Sequence, residues 1–144
     1  MTKECIAIAG DHAGLSMKSV LKKELEEMGF DVLDLGTHGP ESVDYPDFAD
    51  ALAAALHEGR AKRGVLVCGT GIGVSIAANR HRDVRAALCH DAVTARLARQ
   101  HNDANVLVLG ARTTGEEVAK DCVRVFLNTK FEGGRHARRV AKLG

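Results

Sequence analysis

Val65-Leu66-Val67-Cys68-Gly69-Thr70-Gly71-Ile72-Gly73-Val74-Ser75-Ile76-Ala77-Ala78-Asn79 decides the fold of this chain. It starts as a short apolar, β-branched run entered through Gly64, which predicts a buried strand. Three glycines at alternate positions follow, and then Ala-rich sequence that predicts a helix. Glycines so placed let the backbone turn sharply and approach a ligand, since no Cβ intervenes. The N–H groups of such a turn, with the helix N-terminus behind it, suit an anion or oxyanion. Cys68 stands at the carboxyl end of the strand, where open α/β sheets bind ligands. Thiols facing amide donors give up a proton more readily, so Cys68 is a candidate base or nucleophile. The same pattern also serves as a plain tight connection, with the cysteine as a small core residue. It is no nucleotide fingerprint. Val74 stands where the dinucleotide motif needs a third glycine, and no Gly-Lys-Ser/Thr of a P-loop occurs.

Outward from this stretch, strands and helices alternate. Upstream, Cys5-Ile6-Ala7-Ile8-Ala9 predicts a strand ending at Gly10-Asp11-His12-Ala13-Gly14. Met17, Leu21, Leu25 and Met28 then mark a helix that Gly29 stops. Asp31 to Leu35 predicts a second strand, His38 to Asp47 with both prolines a loop, and Phe48 to Leu56 a helix. Downstream, Val84 to Leu88 predicts a strand, Ala92 to Arg99 a helix, Val106 to Leu109 a strand and Glu116 to Leu127 a helix. After Gly133-Gly134, Arg135 to Val140 predicts a short basic helix. Five strands alternating with helices imply an α/β fold: a three-layer α/β/α sandwich around a five-stranded parallel, Rossmann-like sheet. No linker interrupts it, so residues 1–144 are expected to form a single domain, with 131–144 a C-terminal basic arm.

Composition narrows the function. A chain of 144 residues with 45% hydrophobic content can bury a core. A formal charge of +1 argues against a general nucleic-acid or membrane-surface binder. The absence of Trp removes a favoured base-stacking side chain. No apolar run approaches the ~20 residues of a membrane span, and the polar start Met1-Thr2-Lys3-Glu4 is unlike a signal peptide. Cys5, Cys68, Cys89 and Cys122 are scattered without a Cys-x-x-Cys pair, so neither a zinc site nor a disulfide framework is expected. A cytoplasmic location follows.

Parallel strands place their carboxyl ends on one edge. That edge collects Asp11 and His12, then Cys68 with the glycine loop, then Cys89, His90 and Asp91, and finally Gly110-Ala111-Arg112. Asp11 also fits a helix cap. Cys89 rivals Cys68 in position but has no glycine nest after it, so it reads as a site lining or a core residue. Cys5 and Cys122 fall in apolar segments and read as core. His38, His57 and His81 read as solvent-facing, without companions. His101-Asn102-Asp103 follows a helix, and strand order alone does not put it on the same edge. In the basic tail, Arg135, His136 and Arg139 share one helical face at i, i+1 and i+4. Guanidiniums in such a pair suit a phosphate, and Gly133-Gly134 would let the arm reach a neighbouring subunit.

Taken together, Gly10-Asp11-His12-Ala13-Gly14, Asp44-Tyr45-Pro46, Cys68 to Gly73, Ala77-Ala78-Asn79, Arg99 to Asn105 and Glu132-Gly133-Gly134-Arg135-His136 resemble type B ribose-5-phosphate isomerase. The wider family includes galactose-6-phosphate and allose-6-phosphate isomerases, and the resemblance runs essentially end to end. It implies an aldose–ketose isomerase of the pentose phosphate pathway, with no metal or cofactor, acting on a phosphorylated sugar. It also implies a homodimer or homotetramer with sites shared between subunits. In that likeness Cys68 is the base moving a proton between C2 and C1. His101 opens the furanose ring, assisted by Asp11 and Thr70. The N–H groups of Gly69, Gly71 and Gly73 hold the enediolate oxyanion, and Asn102 binds a sugar hydroxyl. His12 and Arg112, with Arg135 and Arg139 of a partner and His136 joining them, form the phosphate clamp. Relatives lacking the cysteine use a loop glutamate; Val74 occupies that place here, so the chain is of the cysteine type. A six-carbon sugar phosphate as substrate, an inactive sugar-phosphate-binding module, and a covalent cysteine nucleophile stand as alternatives.

Overall fold

The computed structural model describes residues 3–144, so Met1 and Thr2 of the polar start lie outside the described residues. Five parallel strands, β1 (Cys5–Gly10), β2 (Asp31–Asp34), β3 (Arg63–Cys68), β4 (Ala86–Leu88) and β5 (Val106–Gly110), form one sheet in the order β2-β1-β3-β5-β4. The α/β/α sandwich expected from the alternation is the architecture found. Side chains alternate across the pleat. Ile6, Ile8, Val65, Val67, Leu107 and Leu109 point to one face, where they pack with α1 (Leu15–Glu27), α4 (Ala92–Asn102) and α5 (Glu116–Asn128). Ala7, Ala9, Leu66, Cys68, Val106 and Val108 point to the other, against α2 (Tyr45–His57) and α3 (Ile72–Ala78). Fully burying a large aliphatic side chain stabilises by roughly 1.5–3 kcal/mol, so these two apolar layers dominate the fold's stability.

The strand order places the functional edge. The chain leaves β1 toward β2 on one side and continues from β3 on the other, so the crevice between their carboxyl ends is the switch point of the sheet. Gly10 is in register with Val67, and Cys68 with Gly110, which keeps the three central strand ends level.

Two helix boundaries differ from expectation, and each has a local cause. Helix α2 begins at Tyr45 rather than Phe48, because Pro46 lies in its first turn. Proline is tolerated there, having no N–H to leave unpaired. Helix α4 runs on through His101 and Asn102 instead of ending at Arg99. Its stop is Asp103, left-handed at φ 49°, rather than a glycine or proline. A short helix, α6 (Arg135–Ala141), ends the chain against α4. No helix among the described residues is long and apolar enough to cross a membrane.

Candidate active site

At the carboxyl edge lies a cleft of about 410 Å³ lined by Asp11, His12, Tyr45, Cys68, Thr70 and Arg112, with Gly69 and Gly73 in its wall. Cys68 ends β3, is 5% exposed, and its Sγ accepts the Gly71 N–H at 3.1 Å. That contact needs Gly71 at φ +80°, and a Cβ there would come within 2.5 Å of the Leu88 side chain. Thr70 Oγ1 accepts the Ile72 N–H at 3.2 Å. The N–H groups of Gly69, Thr70 and Gly73 donate to no acceptor among the described residues and remain available to an oxyanion, whereas the Gly71 N–H expected among them is taken up by Cys68 Sγ. Gly73 makes room for the Tyr45 ring, since a Cβ at 73 would lie 2.6 Å from it.

Asp11 is the cap the sequence allows, and it also lines the cleft. Its Oδ1 accepts the N–H groups of Ala13 and Gly14 at 3.1 and 3.3 Å, capping a short 3₁₀ turn, and its buried carboxylate also lines the cleft. The N–H of Val43 donates to His12 Nδ1 at 3.1 Å. The neutral ring therefore carries its proton on Nε2, a donor suited to a phosphate oxygen. Arg112 is held by its own N–H on the Gly69 carbonyl at 2.8 Å, and its guanidinium packs over Gly69. It forms no ion pair among the described residues.

The other cysteines are set apart by burial. Burial pushes the Cys89 thiol up to about 11 and the Cys122 thiol up to about 12, so both stay protonated in the α1/α4/α5 layer. Cys89 is thus a core residue, and Cys5 is only half-buried rather than in the core. His57 and His81 do have companions, Asp83 and Asp50.

A second cleft of about 250 Å³ is lined by His101, Asn102, His136, Arg139, Val140 and Leu143. It shares no residue with the first. Helix α4 starts beyond the carboxyl end of β4 and runs back for 11 residues to the start of β5. At ~1.5 Å per residue that is about 16 Å of travel, from one edge of the sheet to the other. His101 and Asn102 are therefore carried to the amino edge, away from Cys68 in the same chain. Arg139 joins them there; Arg135 sits on the same helix but outside the lining. Arg135, Arg138 and Arg139 have no acidic partner among the described residues.

Side by side, His101 and His136 stack with ring centroids 4.3 Å apart and planes 14° from parallel. Burial, then the neighbouring His101, holds the His136 ring below the usual histidine range. Glu132 Oε1 stands 3.9 Å from His101 Nε2 and 3.5 Å from His136 Nε2. This is the one His/Cys/Asp/Glu trio among the described residues whose donor atoms gather within 4.8 Å. Sequence reasoning names neither Tyr45, which lines the first cleft from a stretch expected to be loop, nor Glu132, which stands beside the two histidines and gives no signal beyond its place in the Glu132-Gly133-Gly134-Arg135-His136 motif.

Comparison with known proteins gives a consistent picture. Residues 6–143 match the model of the ribose/galactose isomerase family. The chain is 45% identical over 135 residues to ribose-5-phosphate isomerase B of Escherichia coli, covering 94% of this chain and 91% of that one. It is 43% identical over 141 residues to D-erythrulose-4-phosphate isomerase of Pectobacterium atrosepticum, covering 96% and 92%. The solved ribose 5-phosphate isomerase of Thermotoga maritima superposes with a TM-score of 0.96 at 50% identity, covering 99% of this chain and 98% of that one.

Proposed function

Because the chain belongs to the ribose/galactose isomerase family and is an isomerase of the type B ribose-5-phosphate kind, we propose that it interconverts ribose 5-phosphate and ribulose 5-phosphate with Cys68 as base. The observation that carries this is the Gly71 N–H donating to Cys68 Sγ inside the carboxyl-edge cleft. It fixes the sulfur against a loop whose Gly69, Thr70 and Gly73 N–H groups have no acceptor among the described residues. In this reading the Cys68 thiolate takes the proton from C2 of the open aldose and returns it to C1. The O2 hydroxyl gives up its proton as O1 gains one, so no redox partner enters. The intervening enediolate is held by the amides of Gly69, Thr70 and Gly73; one such donor is typically worth about 10²–10³-fold in turnover. Before this step the furanose must open: the C1–O4 bond breaks, O4 takes a proton and the C1 hydroxyl loses one. His101 serves there, with Asp11 and Thr70 at the hydroxyls and Asn102 on the sugar.

His101 and Asn102 cannot reach the Cys68 cleft of their own chain, so we infer that two subunits share each site. The amino-edge cleft of one chain closes on the carboxyl-edge cleft of another. Arg135 and Arg139 then complete the phosphate grip begun by His12 and Arg112. Ile72 and Ile76, each 54% exposed on α3 beside the cleft, offer apolar surface for that contact. The proposed assembly is a cytoplasmic dimer or tetramer that needs no metal.

Conversion of ribose 5-phosphate by wild type and Cys68→Ala, both with chelator present, tests the reading. Turnover by wild type that is lost in the variant supports it. Activity abolished by chelator, or surviving in Cys68→Ala, overturns the metal-free cysteine base. Turnover only of four- or six-carbon sugar phosphates keeps the chemistry and replaces the substrate.

A further inference from the structure

We propose that Glu132 and His136 are positioning residues for His101: the His136 ring is the platform His101 lies on, and the Glu132 carboxylate fixes which edge His101 presents. The inference rests on the proposed role of His101 in ring opening. Its structural basis is independent of the fold's core. Helix α4 ends one residue after His101, and a side chain at a helix end is poorly confined by its own helix. His101 is about 41% exposed at its side chain, whereas the His136 it stacks on is about 10% exposed. The arm that supplies this platform is tied to the same helix end, since the Glu132 N–H donates to the Gln100 carbonyl at 3.1 Å. That bond, the ring stack and the Arg99 Nε–H on the Thr129 carbonyl tie the arm to the helix end whose His101 must face a substrate held by another subunit.

The charges around the pair agree with that role. His136 faces His101, Arg135 and Arg139 as well as Glu132, and it is buried; all but Glu132 favour its neutral form. A neutral ring is what an imidazolium at His101 can lie against without repulsion. Among the described residues, Glu132 is the sole carboxylate whose oxygen stands within 4 Å of either ring nitrogen. Arg99, two residues earlier on α4, does not compete for it. Its guanidinium is engaged by Asp103 and by the carbonyls of Ala104 and Thr129. The trio is a poor cage for an ion. A bound metal lies near the plane of each imidazole, and planes 14° from parallel do not converge on one point. With its Nε2 3.5 Å from the Glu132 carboxylate and its ring stacked on His101, His136 serves His101 rather than the substrate phosphate.

Ring opening can be measured apart from isomerisation. The two furanose anomers of ribose 5-phosphate interconvert only through the open chain, so magnetisation exchange between their C1 signals reports opening. In Cys68→Ala protein, which lacks the proposed base, anomer exchange is expected to exceed the uncatalysed rate. Adding Glu132→Gln should slow the catalysed exchange about ten-fold, and Glu132→Asp should recover much of it. His101→Ala in the same background should abolish it. If His101→Ala abolishes exchange while Glu132→Gln leaves it unchanged, the positioning proposal fails and the role of His101 stands. If His101→Ala also leaves it unchanged, both fail. Should zinc ions raise the melting temperature of wild type but not of Glu132→Gln, the trio is a metal site and the proposal is overturned.

Discussion

The two ends of the sheet carry different kinds of machinery. The carboxyl edge is built on strand ends held in register, and backbone hydrogen bonds tie Asp11, Cys68 and Gly69 to neighbouring strand ends. The amino edge is built on a helix terminus and an arm entered through Gly133-Gly134, both at positive φ. Proton transfer between adjacent carbons demands placement of a sulfur to within tenths of an ångström, and strand ends supply that. In the proposed assembly the amino-edge residues must reach a substrate held by another chain, which a helix end and an arm allow. The division of labour follows from what each kind of backbone can hold.

The sharpest way to break this comparison is to remove the rigid edge's base. Cys68→Ala is expected to lower turnover at saturating ribose 5-phosphate by about 10²–10⁴-fold. A loss of less than ten-fold would put the base elsewhere. Next comes the claim that the edges meet across subunits. Separately inactive Cys68→Ala and His101→Ala chains, unfolded and refolded together, should regain about a quarter of wild-type turnover in a two-fold dimer. Half of randomly paired dimers are mixed, and each of those holds one intact site of two. No recovery would mean that each chain works alone. The single Arg139→Ala variant, assayed by itself at high substrate, should raise KM about ten-fold with turnover largely kept. An equal fall in turnover would give the looser edge a share in proton transfer. The smallest effect lies outside both edges, in the Glu24–Arg124 pair between α1 and α5, two bonds of 3.0 Å. That guanidinium holds the Glu24 carboxyl below its ordinary 4.5. The stabilisation is thus complete above pH 4.5 and is lost as pH falls through the lower folded value. Glu24→Gln should lower the melting temperature at neutral pH, with the gap to wild type closing in acid and ribose 5-phosphate kinetics unaltered. A gap independent of pH would show that the carboxylate's charge contributes nothing.

Much of this was legible in advance, for reasons that differ by residue. The β-branched runs at Val65–Val67 and Val106–Leu109 can hardly be anything but buried strands, and five of them alternating with helices leave one class of fold. The carboxyl-edge residues were legible together, because parallel strands put their ends on one side. The amino-edge cleft was not. Its separation depends on α4 extending past Arg99, and the stop there is an aspartate in a conformation few aspartates adopt. Nor could spacing show Glu132 between two histidines from different helices, or Tyr45 seated over Gly73. The His101–Glu132 and Tyr45–Gly73 contacts join segments far apart in sequence, and only the packed structure brings them together.

The burial of Cys89 and Cys122 has a practical consequence. Thiols held at about 11 and about 12 in a closed apolar layer are poor targets for mild alkylating reagents at neutral pH. Cys68 opens onto a cleft, and Cys5 is half-exposed at the far edge. In a Cys5→Ala background, a thiol-directed fluorophore would therefore report one label per working cleft. Protection by substrate would turn that label into a count of occupied sites.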